Sequence, residues 1–444
     1  MHTYVKNAAG IFMTVQKAEN LLNLALSTPE NERIQTEELN VGFDSRTKTW
    51  EVIVKYSGDL RNILQRRFPE VGIRELFGRF AILEIPEQLV ETVINNIEEI
   101  EYAEKPKRLY FALNQAKAAS CFLPVQSAGS MQLSGRGVLV GIVDSGIDYF
   151  HDDFRNDDGS SRILFLYDQV LDRIFTKEEI DQALNSGNRE MARQLVPSAD
   201  AAGHGTAVAG IAAGNGRESN GRYRGAAYNS DLIVVRLGIP DPEGFPITTQ
   251  VMSGLDFVVQ KAVELGQPAA INLSFGNSYG SHDGSGLFER YMDQLAEVGR
   301  SVFVVGAGNE GDKAGHVRGR LQDRESQVIE LSAAPYEPGF SVQLWKHYID
   351  DFEIFLTNPS GNVTRQISQR MGPSEIDMGG ARILLYYGEP GPFSEAQEIY
   401  FDFLPNGGYI ESGIWKITLR PIKIVDGRYD LWLPTAGALN RSTR

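Results

Sequence analysis

An aspartate, a histidine and an asparagine stand at three points where a folded chain tends to present side chains for chemistry. Gly137–Asp144 reads Gly-Val-Leu-Val-Gly-Ile-Val-Asp, small and β-branched until it meets Asp144-Ser145-Gly146. Near-continuous apolar runs of this kind are strands of a parallel sheet covered on both faces, and open α/β sheets build their sites beyond the carboxyl ends of such strands. An acidic group in that position is costly unless it has a partner. His204 opens Gly203–Gly214, Gly-His-Gly-Thr-Ala-Val-Ala-Gly-Ile-Ala-Ala-Gly. A helix of such small residues can lie close on a sheet with its imidazole toward a cleft. Asn309 lies in Val-Val-Gly-Ala-Gly-Asn-Glu-Gly, Val304–Gly311, at the end of another apolar run. An amide held in a glycine-bracketed turn is a good donor to a developing oxyanion. Taken singly, each has a plainer reading: an Asp that caps or faces water, a structural His, an ordinary turn. Their order, each at a strand or helix junction, argues for a site.

The elements that must position them are legible as four regions. Residues 1–34 read as an amphipathic helical leader, with Val15, Leu21, Leu22, Leu24 and Leu26 at helical spacing. Residues 35–115 hold strand, helix, strand, helix and strand patterns, with room for one more strand at Gly-Ile-Arg-Glu-Leu-Phe-Gly. In the first strand Trp50, Val52, Val54 and Tyr56 share a face, and Asp59 is placed to cap the helix after it. That order suits a small ferredoxin-like α+β unit. Residues 125–320 alternate buried-strand runs with helical segments, as a doubly wound α/β domain does. A long insertion, Arg155–Ala202, separates Asp144 from His204 and carries a charged helical piece. Residues 325–435 change to short, aromatic-rich, alternating strands, the pattern of a β-sandwich or jelly roll.

The segments Val-Asp-Ser-Gly-Ile-Asp, Gly-His-Gly-Thr-Ala-Val-Ala-Gly, Ile-Asn-Leu-Ser-Phe-Gly and Gly-Ala-Gly-Asn-Glu-Gly, in that order, resemble the subtilisin-like serine proteases, the subtilases. The resemblance implies that Asp144 accepts a hydrogen bond from His204 and fixes its tautomer. It implies that His204 is the general base toward a serine, and that Asn309 donates to the tetrahedral oxyanion. Ser274, Phe275 and Gly276 match the strand on which family members pair an extended polypeptide substrate. The layout is similar to the Csp-type germination proteases of clostridial spores. Residues 35–115 would then be a propeptide that occupies the cleft, processed between about Ala116 and Ser130.

The serine itself is missing from these expectations. A subtilase nucleophile sits in Gly-Thr-Ser-x-Ala, and no such segment occurs in the 444 residues. The expectation is a chain truncated before its serine. The alternative is a pseudoprotease that uses the cleft to hold its prodomain or a partner. A third reading takes His151-Asp-Asp-Phe-Arg-Asn-Asp-Asp-Gly159 as a metal loop, but it lacks the Gly and Glu positions of a calcium-binding hand and reads better as a solvated loop. No cofactor is expected.

Composition narrows the partners. A net charge of −15 argues against an extended nucleic-acid surface, which needs clustered Lys and Arg. The sequence has no 18-residue apolar run to span a membrane. The single Cys121 excludes an intramolecular disulfide. The N-terminus lacks the basic and apolar regions of a secretory signal, so the expected compartment is the cytoplasm, with a spore association if the Csp likeness holds.

Overall fold

The computed structural model describes residues 5–6, 17–36, 38–108, 110–111, 133–238, 246–311, 313–368 and 373–434, with 439 and 443. Cys121, Val15 and the expected processing window fall outside them.

Helix α1 (Asn20–Ser27) buries Leu21, Leu22 and Leu24. Beyond it runs β1 (Thr49–Tyr56), α2 (Leu60–Arg67), β2 (Gly72–Leu76), β3 (Phe80–Pro86), α3 (Val90–Asn96) and β4 (Ile100–Glu104). The strand at Gly72–Leu76 is the one for which the sequence left room. The sheet order is β4-β1-β3-β2, all antiparallel, which is the ferredoxin-like arrangement. Asp59 caps α2 by accepting from Asn62 N. Trp50, Val52, Val54 and Tyr56 face one core with α1, α2 and α3, while Ile53 and Ile82 on the opposite face join a second core. A two-residue strand β5 (Tyr110–Phe111) follows.

The central unit is a six-stranded sheet. Its strands are β6 (Leu139–Asp144), β7 (Ile163–Asp168), β8 (Arg173–Thr176), β9 (Asp231–Arg236), β10 (Ala269–Leu273) and, beyond the two-residue strand β11 (Phe275–Gly276), β12 (Ser301–Val305). The order is β8-β7-β9-β6-β10-β12, parallel except for β8 against β7. The insertion's charged piece is two helices, α4 (Lys177–Leu184) and α5 (Arg189–Leu195), interrupted at Gly187, whose φ of +93° a helix cannot hold. Helix α6 (His204–Ala213) covers one sheet face; α7 (Thr248–Leu265) and α8 (Leu287–Glu297) cover the other. Ile53, Phe80 and Ile82 of the N-terminal sheet pack on that second layer, against Leu287, Tyr291 and Leu295.

The last unit is a sandwich of antiparallel strands: β13 (His316–Arg320), β14 (Gln327–Ala333), β15 (Phe340–His347), β16 (Asp351–Thr357), β17 (Pro373–Asp377), β18 (Ala381–Tyr387), β19 (Ala396–Pro405), β20 (Gly413–Lys423) and β21 (Arg428–Trp432). One sheet runs Val5–Lys6, β17, β18, β19, β15, β21, β13; the other runs β14-β20-β16. Their inner faces share one core that includes Phe340, Phe401 and Trp415. The sandwich starts earlier than residue 325: His316–Arg320 pairs residue for residue with Arg428–Trp432, so this stretch is not the end of the α/β unit. The Trp432 ring lies 3.7 Å from the rings of both His282 and His316, which fastens the sandwich to the loop before α8.

Candidate active site

Strand β6 lies between β9 and β10, so all six of its residues are buried, Asp144 included. A carboxylate so placed must be compensated by polar contacts. Asp144 Oδ1 accepts from Ser145 N at 2.7 Å and stands 2.7 Å from His204 Nδ1. A carboxylate only accepts, so Nδ1 carries the proton and Nε2 is left as the acceptor nitrogen. His204 is the first residue of α6, after Gly203 at φ +73°, and its side chain is largely buried.

The close approach of α6 to β6 depends on two glycines. A Cβ on Gly205 would collide with the carbonyl oxygen of Gly146. Gly146 itself takes φ +129°, a conformation that favours glycine.

The remaining expected residues leave the same edge of the sheet. Val143, Leu273 and Val305 lie in register on β6, β10 and β12, so Asp144, Ser274 and the turn toward Asn309 all emerge from the carboxyl ends. Ser274 is buried and accepts from Asn272 Nδ2 at 2.8 Å. Phe275 is buried, with its ring 5.8 Å from that of His204. Asn309 is exposed beyond β12, and its N–H donates to Glu310 Oε2 at 2.9 Å.

A segment of the chain's own N-terminal part is seated here. Tyr110 and Phe111 pair antiparallel with Gly276 and Phe275. Just before them, Arg108 bridges Ile247, and Lys107 exchanges hydrogen bonds with Thr248. Asn277 Nδ2 donates to Arg108 O at 2.7 Å. The segment thus runs as an extended strand between two edges of the α/β unit. Sequence reasoning missed Ile247, Thr248 and Asn277. Asn277 directly follows Ser-Phe-Gly, which was its one available signal. It also missed Asp200, whose carboxylate sits between the turn after Asp144 and the start of α6.

The acidic loop after His151 has protein partners for its carboxylates. Asp153 accepts from Glu218 N, Asp158 accepts from Ser160, and among the described residues no group of three His, Cys, Asp or Glu side chains could hold a metal ion.

Comparison with known proteins gives the family of the two N-terminal units. Residues 16–107 match the Csp protease B prodomain, and residues 135–334 match the subtilase family. The structure of the Clostridium perfringens CspB protease is 34% identical, covers 74% of this chain and 67% of that one, and superposes with a TM-score of 0.67. Subtilisin-like protease 4 of Trichophyton rubrum is 26% identical over 338 residues, 72% of this chain and 71% of that protein. The minor extracellular protease Vpr of Bacillus subtilis is 28% identical over 214 residues, 48% of this chain and only 23% of that protein's length.

Proposed function

The chain belongs to the subtilase family, and from that premise we propose that it carries the prodomain and the Asp-His machinery of a serine endopeptidase. In this reading Asp144 holds His204 in the tautomer with Nε2 as base. His204 takes the serine proton and returns it to the leaving amine, and Asn309 donates to the oxyanion. The single observation that carries the reading is the 2.7 Å contact between Asp144 and His204, beside a strand on which a peptide segment already lies.

The seated segment supports a substrate class and an order of events. An extended polypeptide adds itself to Phe275–Gly276 by main-chain hydrogen bonds, which read shape and register rather than composition. Phe111 pairs with Phe275, whose ring lies 5.8 Å from that of His204. Self-cleavage is therefore expected within a few residues of Phe111, upstream of the 116–130 window read from the sequence. The prodomain would then stay in the cleft as an inhibitor.

Hydrolysis needs a nucleophile, and no Gly-Thr-Ser-x-Ala stands among the 444 residues. The test is to express the complete gene product and map its fragments by mass spectrometry. A fragment ending just beyond Phe111, absent in His204→Ala, supports the reading. The same fragment in both proteins would refute a catalytic His204. A product without the serine motif and without cleavage would leave a cleft that only binds.

A further inference from the structure

Between the two segments that carry Asp144 and His204 lies a third, and its carboxylate has no role in the scheme above. We infer that Asp200 is a positioning residue of the Asp144–His204 pair, clamping the turn after Asp144 onto the first turn of α6. The inference rests on the reading of that pair as a working dyad.

Asp200 makes four hydrogen bonds to three places. Its Oδ1 accepts from Ser145 Oγ at 2.8 Å and from Gly203 N at 2.9 Å. Its Oδ2 accepts from Thr206 N at 2.8 Å and from Thr206 Oγ1 at 2.6 Å. The two hydroxyls carry the connection onward. Ser145 Oγ accepts from Gly205 N at 2.9 Å, and Thr206 Oγ1 accepts from Asp148 N at 2.9 Å. Ser145 and Gly205 are the residues directly after Asp144 and His204. Two bonded links therefore join the residues beside the functional side chains, one directly from Ser145 to Gly205 and one through Asp200 from Ser145 to Gly203.

Part of this is ordinary helix capping. The residue before α6 is Gly203, which has no side chain to offer, and Asp200 supplies the missing acceptor from upstream. A carboxylate at a helix N-terminus is also favoured by the helix dipole. Burial raises the Asp200 pKa, but the bonds from Thr206, Ser145 and Gly203 outweigh it and hold the group below the usual carboxylate range. The Ser145 arm reaches beyond the helix. It ties β6 to α6, and the glycine-to-glycine contact beneath it leaves no slack: Gly146 packs against Ala199 and Asp200, and Gly205 packs against Gly146. The arm fixes the orientation in which the 2.7 Å contact forms.

The test reads the Nδ1 proton of His204 directly, in the full chain, and needs no nucleophile. A proton shared between imidazole and carboxylate gives a resolved low-field resonance, assigned by its loss in His204→Ala. Asp200→Ala is expected to abolish this resonance or move it upfield. Ser145→Ala, which leaves the bonds of Asp200 to Gly203 and Thr206 in place, is expected to shift it in the same direction. The double variant should fall short of the sum of the two single effects, because the Ser145–Asp200 bond is common to both. Asp200→Asn, which keeps an oxygen for Thr206 and presents an N–H to Ser145 Oγ, should restore the signal in part. An unmoved resonance in both Asp200→Ala and Ser145→Ala overturns the inference and leaves Asp200 a cap. If Asp200→Ala fails to fold, Ser145→Ala alone decides in the same way. Absence of the resonance in the unaltered protein removes the dyad itself, and the positioning role with it.

Discussion

At the scale of residues, the site is one buried acid made tolerable by one imidazole. Asp144→Asn keeps the shape but cannot fix the tautomer. Turnover of the serine-bearing gene product is expected to fall by roughly 10⁴-fold, measured on a peptide substrate, as triad chemistry requires. Gly205→Ala acts by a different route, forcing α6 away from Gly146. It is expected to lower stability by about 1–3 kcal/mol in a denaturant titration. Asp144 and His204 were legible because each sits inside a contiguous run that specifies its own strand or helix. Asp200 and Asn277 were not. Their partners, Ser145 and Arg108, are separated from them by 55 and 169 positions, and no local pattern announces such a contact.

At the scale of elements, burial differs within the one sheet. The apolar runs at β6, β9, β10 and β12 all read as strands covered on both faces. That holds for β6, whose core neighbours come from α6 on one side and α7 on the other. It does not hold for β12, where Val302 and Val304 are 61% and 54% exposed. This is an edge strand, and among the described residues no helix lies over that face. A sequence run reports only that its residues are apolar, not whether a neighbour arrives to cover them. Ile271→Ala on β10, fully buried, is expected to cost about 2–5 kcal/mol. Val302→Thr should stay within roughly 0.5 kcal/mol. Equal losses in thermal unfolding would contradict this account of the sheet.

At the scale of the whole molecule, three units meet at a seam of buried carboxylates. Glu104, at the end of β4, accepts from Leu287 N at the start of α8 and from Lys107 at 3.3 Å. Lys107 also binds Glu19 at 2.8 Å. Glu398 of the sandwich accepts from Asn20 and from Gln343. Burial is the main cause that pushes both Glu104 and Glu398 up to about 7, with the nearby Glu19 adding to it. Because these pKa values are raised above the ordinary 4.5, the docked state holds protons that the separated units release. The seam's contribution is full below about pH 4.5 and is lost as pH rises through about 7. Displacement of the N-terminal unit, followed by native-state hydrogen exchange on α1 and β4, should accordingly be easier at pH 8 than at pH 5.5. Glu104→Gln and Glu398→Gln together should flatten that dependence. The order of the units along the chain was legible from changes in periodicity. The seam was not, since Asn20 and Glu398 lie 378 positions apart.

The measurement that bears most directly on the central claim is labelling of the complete gene product with a fluorophosphonate, with the labelled residue identified by mass spectrometry. The account predicts one serine, in a Gly-Thr-Ser-x-Ala segment, labelled in the unaltered protein after the prodomain is removed. Labelling should be lost in His204→Ala and strongly reduced in Asp144→Asn. A product that contains such a serine yet labels equally well without His204, or that lacks the serine altogether, would contradict it.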